Sequence, residues 1–238
     1  MDQAMAGKRV LGVFAHPDDP EFFCGATFAH WAAEGADITF VLATSGDKGS
    51  SDPDMNSERL ALIREDEERC AAAKLGVKEV IFLRYPDGEL TPSLALRRDI
   101  VRTIRMVKPD IVVTLDPTVF WWGDRGVNHP DHRAVGEATL AAVYPTARDR
   151  LNFLEQERDE GLAPHKTKYL YITGTQSPNV KVDVTAYIET KITSLYEHKT
   201  QIADMEKMAE RLRNSRDPEA PPDVVRYVDS FRVITFDR

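Results

Sequence analysis

The sequence predicts an α/β fold built on a mostly parallel central sheet. Two observations predict it. Four short apolar runs, rich in β-branched residues, read as strands buried on both faces. Between each successive pair lies a stretch with helical spacing, which gives the βαβ alternation of a parallel sheet.

The first strand is expected at Val10–Ala15 and the first helix at Phe22–Glu34. A second strand, Ile38–Thr44, leads to a helix over Ser57–Leu75, with Asn56 or Ser57 as cap and Gly76 as stop. Val80–Leu83 is the third strand. Ser93–Val107 spaces Leu96, Ile100, Thr103, Ile104 and Val107 along one helical face, and Ile111–Leu115 is the fourth strand. Asp131–Val143 reads as a helix. Lys168–Thr173 and Lys181–Val184 read as strands, Tyr187–Leu212 as one helix or a broken pair, 213–223 as a polar loop and Val224–Phe236 as a closing strand. No repeat or domain-sized linker interrupts residues 1–238, so a single domain is expected. Right-handed crossovers place the loops after the parallel strands on one edge, where such sheets bind ligands. Two of those loops, Ser45–Asn56 and Asp116–His129, are long enough to suggest function.

Composition narrows the function classes. With 31 basic and 39 acidic side chains the formal charge is −8, which argues against nucleic-acid binding and against a polybasic membrane anchor. No apolar run approaches a spanning length, and Val10–Ala15 is too short for a signal peptide, so a cytoplasmic location is expected. Cys24 and Cys70 leave one disulfide open but exclude a four-cysteine zinc site. The loop after the first strand lacks the glycine pattern of a dinucleotide site, Gly46–Gly49 lacks phosphate-loop spacing, and no nucleophile elbow is present.

The chemistry concentrates in a repeated tripeptide. His-Pro-Asp occurs in His16-Pro17-Asp18-Asp19-Pro20-Glu21 after the first strand, and again in Asn128-His129-Pro130-Asp131-His132-Arg133 after the fourth. One such tripeptide is usually a solvated turn, and a lone first-turn acid is usually a cap. Two copies converging on one sheet edge make a metal site the better reading. The pairs His16/Asp19 and His129/His132 have i,i+3 spacing, and together they exceed the three protein ligands of a catalytic zinc. Asp18, Glu21 and Asp131 remain as carboxylates beside it, one of which can serve as general base. His30 and His165 read as packing or solvated residues, and His198 is ambiguous.

The stretches AHPDDPEFFCGAT (15–27), TSGDKGS (44–50), Arg64 to Glu67 with AAAKLGV (71–77), YPDGEL (85–90), HPDHRAVGEA (129–138) and EHKTQ (197–201) resemble the zinc de-N-acetylases of the PIG-L (LmbE-like) type. The resemblance covers about residues 8–201, and the paired His-Pro-Asp blocks are its specific part. It implies a Rossmann-like three-layer sandwich with the active site at the C-terminal strand edge. It implies hydrolysis of the acetamide of an N-acetylated amino sugar, an N-acetylglucosamine conjugate, to acetate and free amine. By the same resemblance His16, Asp19 and His132 match zinc ligands and Asp18 matches the base. His129 matches the group that stabilises the oxyanion or protonates the amine, with Asp131 orienting it. Arg64 and Asp87 match sugar contacts. The ligand set also suits Fe2+ or another divalent metal. Phe120-Trp121-Trp122 has no counterpart in the pattern and reads as a sugar platform, a lid or packing. The alternatives are another zinc-dependent amidohydrolase and an inactive sugar- or metal-binding relative. Assembly into a homo-oligomer is left open.

Overall fold

The computed structural model describes residues 4–124 and 126–236. The reading of the N-terminus starts at Met1, outside the described residues. The elements run β1 (Arg9–Phe14), α1 (Asp19–Ala33), β2 (Asp37–Thr44), α2 (Ser57–Lys74), β3 (Glu79–Tyr85), α3 (Leu94–Val107), β4 (Ile111–Leu115), α4 (Pro130–Ala141), α5 (Leu154–Glu160), β5 (Tyr169–Thr173), β6 (Val180–Asp183), α6 (Ile188–Leu195), α7 (Met205–Asn214) and β7 (Val228–Thr235).

All eight strands and helices expected up to residue 143 are present, the strand Ile111–Leu115 with the expected ends and the others with shifted ones. α1 starts three residues before the expected Phe22, because Pro20 suits the first turn and needs no donated hydrogen bond. Asn56 and Ser93 cap α2 and α3 by accepting the backbone N–H groups of Arg59 and Leu96. Beyond residue 143, α5 is an element that the apolar pattern does not announce. It has seven residues, five of them charged, and buries only Gln156. The long helical stretch after Tyr187 is the broken pair α6 and α7.

The sheet order is β3-β2-β1-β4-β5-β7-β6. β3, β2, β1, β4 and β5 are parallel, and β7 and β6 continue the sheet antiparallel. α1 and α2 pack with α6 on one face and α3 packs with α4 on the other, which completes the three-layer α/β sandwich expected. Strand order reverses direction between β1 and β4, which pair from Val10↔Ile111 to Val13↔Thr114. Such a switch point opens a crevice beyond the strands' carboxyl ends. The two His-Pro-Asp blocks follow these two strands. Among the described residues no helix is long and apolar enough to cross a membrane. Cys24 is buried and Cys70 exposed, and both thiols are free.

Candidate metal centre

The chain leaves β1 through Ala15 and turns sharply into α1. Asp19 Oδ2 fixes that turn by accepting the backbone N–H groups of His16 at 2.9 Å and Ala15 at 3.2 Å. Its other oxygen, Oδ1, lies 3.0 Å from His132 Nε2, and His16 Nδ1 lies 3.5 Å from Oδ2. His132 is presented by the first turn of α4, where Pro130 occupies a position that lacks a helical partner anyway. Asn128 Oδ1 meets its Nδ1 at 3.0 Å. Ligand atoms of His16, Asp19 and His132 lie within 4.8 Å of one another. Across 113 residues, the ring centroids of His16 and His129 are 4.6 Å apart.

The fit to a divalent cation rests on how His16 is held. Its Nε2 faces Asp131 Oδ2 and Asp87 Oδ1, each at 3.2 Å. A carboxylate behind an imidazole fixes its tautomer and leaves the other nitrogen to act as ligand. Nδ1 is the nitrogen left available, and it faces Asp19. A second grouping, His16–Asp87–His129, uses the same ring, but Asp87 on Nε2 is better placed as the supporting carboxylate. Asp131 is wholly buried, and it also accepts the N–H groups of Gly88 at 2.7 Å and Leu90 at 3.1 Å. Its carboxylate therefore orients His16, whereas the sequence pattern assigned it to His129. What it gives His129 is its backbone N–H, donated to Nδ1 at 3.2 Å. With Nδ1 an acceptor, the neutral ring carries its proton on Nε2.

The electrostatics follow from this packing. Burial lowers the proton affinity of His16, but Asp131, Asp19 and Asp87 outweigh it and hold the ring well above its usual value. Burial raises Asp19, but His132 and His16 outweigh it and hold the carboxyl far below the usual range. Asp18 is also drawn down by His198 and His16, but more weakly than it is pushed up. Burial, then the charge on Asp19, push its carboxyl up to about 8. Burial and the neighbouring His16 lower His129.

His16, Asp18, Asp19, Asp87, His129 and His132 line a cavity of about 730 Å³, together with Phe22, Phe23 and Trp122. Both long loops reach it, the first through Gly46 and the second through Trp122. Arg64 lines it too, but its guanidinium is already engaged. Nη1 donates to Gly46 O, Nη2 to Gly49 O at 2.7 Å and Nε to Thr200 Oγ1 at 3.4 Å. It shapes the Gly46–Gly49 loop. Gly46 has φ +64°, and an added Cβ would stand 2.9 Å from Arg64 Nη1, so glycine is required there.

Sequence reasoning left Glu68 unnamed and His198 ambiguous, and it set Glu21 beside the metal, whereas Glu21 is absent from the cavity lining and groups with those two. Glu21, Glu68 and His198 are fully buried directly behind Asp18, and their ligand atoms also lie within 4.8 Å of one another. Among the described residues Glu21 Oε1 and Oε2, Glu68 Oε1 and both His198 nitrogens make no hydrogen bond, although His198 Nε2 stands 3.5 Å from Glu21 Oε2. The motif EHKTQ carried the available signal, since it supplies both His198 and the cavity residue Gln201.

Fold and site together define an α/β protein with a cluster of imidazoles and carboxylates, suited to a divalent metal, at the switch point of a parallel sheet. Comparison with known proteins makes the assignment specific. The chain belongs to the PIG-L family, described as GlcNAc-PI de-N-acetylase, whose pattern matches residues 11–143. It is 33% identical over 197 residues to the diacetylchitobiose deacetylase of Thermococcus kodakarensis, covering 83% of this chain and 71% of that one. It is also 33% identical over 173 residues to the 1D-myo-inositol 2-acetamido-2-deoxy-alpha-D-glucopyranoside deacetylase of Kineococcus radiotolerans, spanning 60% of this chain and 46% of that relative. Among solved structures, the N,N'-diacetylchitobiose deacetylase of Pyrococcus horikoshii, complexed with its inhibitor MPG, superposes with a TM-score of 0.84 at 32% identity. That match covers 96% of this chain and 84% of the other. GalB, a hydratase from Pseudomonas putida, shares the fold at a TM-score of 0.75 with 17% identity, covering 97% of each chain. One fold thus carries different reactions, and the reaction must be argued from the site.

Proposed function

We propose that this protein is a metal-dependent hydrolase that removes the acetyl group from an N-acetylated amino sugar, an N-acetylglucosamine conjugate, releasing acetate and the free amine. The whole of residues 1–238 acts as one deacetylase domain in this reading. The observation that carries it is the meeting of His16, Asp19 and His132 in a cavity that Asp18 and His129 also line. The three deacetylases named above are named for acetylated amino-sugar substrates, which supports the substrate class.

His16, Asp19 and His132 would hold the cation, zinc by family habit, with Fe2+ or another divalent metal chemically acceptable. When bound, it supplies Lewis-acid polarisation of the acetyl carbonyl and acidification of water. Asp18 accepts the water proton. His129 directs Nε2–H at the oxygen where negative charge develops, because Asp131 N–H occupies Nδ1. Asp131 and Asp87 keep His16 in its ligating orientation, and Asp87 and Arg64 border the sugar. Two free thiols, Cys24 and Cys70, suit the reducing cytoplasm.

The test is metal analysis of the purified protein, then incubation of the metal-loaded form with diacetylchitobiose and N-acetylglucosaminyl inositol. Acetate and free amine should appear in equal amounts and vanish after chelation. No acetate from either sugar, nor from simpler N-acetylglucosaminides, would overturn the reading.

A further inference from the structure

The cavity does not end at the histidines. Phe22, Gln201 and Arg211 line it and also line an adjoining recess of about 300 Å³, so the two spaces share a wall. Lys207 and Asp204 complete the polar part of that recess. Lys207 and Arg211 stand four residues apart on α7 and so share one helical face.

Two other cations near this recess are engaged elsewhere. Arg213, two residues on, is held by Glu189 at 2.7 and 2.8 Å. Arg226 is held by Asp217. Among the described residues, neither Lys207 nor Arg211 has an ion pair or a side-chain hydrogen bond. Asp204, the acid in the recess, turns its Oδ1 to the backbone N–H of Lys207 at 2.9 Å and caps α7. Arg64, the other cation at the cavity, is taken up by the loop carbonyls. Gln201 adds an unfilled acceptor. Its Nε2 donates to Pro17 O at 2.8 Å, which fixes the amide, and its buried Oε1 has no partner. A chain with formal charge −8 repels anions at long range, so an anion reaching this cavity needs local cations.

Given the deacetylase reading, we infer that this recess is a subsite for an anionic substituent, a carboxylate or a phosphate, carried by the substrate beyond its N-acetylated sugar. Arg211 and Lys207 meet the anion, and Gln201 Oε1 accepts a hydroxyl from the sugar or its substituent. The substrate class is then an acidic N-acetylglucosamine conjugate, distinguished from neutral ones by α7.

The test compares metal-loaded wild type, Arg211→Ala and Arg211→Glu on four substrates. N-acetylglucosaminyl malate supplies carboxylates and N-acetylglucosamine 1-phosphate supplies a phosphate. Methyl N-acetylglucosaminide and diacetylchitobiose are neutral. At least one acidic substrate should exceed the neutral pair in kcat/KM by about tenfold, the low end for a hydrogen bond to a charged group. That ratio should fall about tenfold in Arg211→Ala, mainly through KM, and fall further in Arg211→Glu. The better acidic substrate identifies the anion. A wild-type ratio near one, or a ratio unchanged in both variants, overturns the subsite while leaving deacetylation intact. Loss of turnover on all four substrates strikes the deacetylase reading instead. Calorimetry then decides the subsite separately. Malate or inorganic phosphate should bind wild type more tightly than Arg211→Glu, and equal affinities overturn it.

Discussion

The backbone N–H of Asp18 donates to Glu68 Oε2 at 3.1 Å, tying the turn after β1 to the middle of α2. Asp18 sits at φ 83° and ψ −24°, a left-handed conformation that costs a side-chain-bearing residue about 1–3 kcal/mol. Glu68 is what holds it there, and His198 Nε2 stands 3.9 Å from the same carboxylate oxygen. Glu68→Ala should leave a buried N–H unpaired, at about 1–3 kcal/mol of stability, and let the turn relax. We expect kcat to fall by about tenfold or more with KM little changed, because the displaced group acts in the transition state. Glu68→Gln keeps an acceptor oxygen and should recover most of the rate. Equal kcat in the two variants would deny Glu68 a positioning role.

Asp18 and Asp19 are neighbours with different surroundings, and the proposed function gives them different tasks. Asp19 has both oxygens committed to the turn and to His132, so Asp19→Ala should lose metal affinity. Asp18→Asn should retain metal and lose on the order of 10²–10⁴ in kcat, the usual cost of losing a general base. Metal content and steady-state rates of both variants check this. A metal-loaded, fully active Asp18→Asn protein would remove Asp18 from the mechanism and turn attention to Asp131 or Glu21.

The parallel core and the meeting of the two His-Pro-Asp blocks were legible because both are local. A buried strand announces itself by an apolar run, and the loop after it carries the candidate ligands. Given β1 beside β4, His16 and His129 had to approach. The role of Asp131 was not legible, because its carboxylate is fixed by Gly88 and Leu90 from a third loop, and no spacing encodes that contact. The cluster behind Asp18 was hidden for the same reason, since Glu21, Glu68 and His198 come from α1, α2 and the segment after α6. α5 escaped because its sequence, LEQERDE, buries one side chain and so carries no apolar stripe.

The tandem tryptophans part company in the structure. Trp122 lines the cavity, while Trp121 is 62% exposed and is fixed mainly through its backbone, bridged to Val127. Trp122→Ala should raise KM for the sugar by about tenfold, as loss of an aromatic stacking face would. Trp121→Ala should shift KM by less than about twofold. Steady-state kinetics of the two single variants check the split, and equal effects would sink it.

Arg105 is fully buried and has no carboxylate partner in hydrogen-bond reach among the described residues. Its guanidinium instead donates to the carbonyls of Thr146, Ala147, Asp149, Asn152 and Phe153 and to Gln156 Oε1. It thereby gathers the segment between α4 and α5, whose carbonyls turn inward around the guanidinium. Arg105→Met should destabilise by about 3 kcal/mol or more, since several buried carbonyls lose donors together. Arg105→Lys should recover little, because an ammonium cannot present five donors in one plane. Urea unfolding measures both, and a loss below about 1 kcal/mol would contradict the role.

Glu65 provides a pH signature remote from the metal ligands. Arg84 donates to its two oxygens at 2.8 and 3.0 Å, and Ser45 and Arg69 add one bond each. These bonds, that of Arg84 foremost, hold the carboxyl down to about 2 against the opposing effect of burial. A carboxyl lowered on folding binds fewer protons in the native state than in the unfolded one. Its stabilisation is therefore complete above the unfolded value near 4.5 and is lost as pH falls toward 2. The shift bounds the effect at about 3 kcal/mol. Arg84 and Arg69 are 66% and 47% exposed, and solvent screening brings the expected value nearer 1 kcal/mol. Wild type should thus exceed Glu65→Gln by a constant margin from pH 8 down to about 5, and the margin should narrow steadily below about pH 4.5. Added salt should shrink the plateau, because the pair reaches solvent on the arginine side. Urea titrations of both proteins at stepped pH decide it, and a margin that stays flat into the acid range would show that Glu65 gains nothing from its arginines.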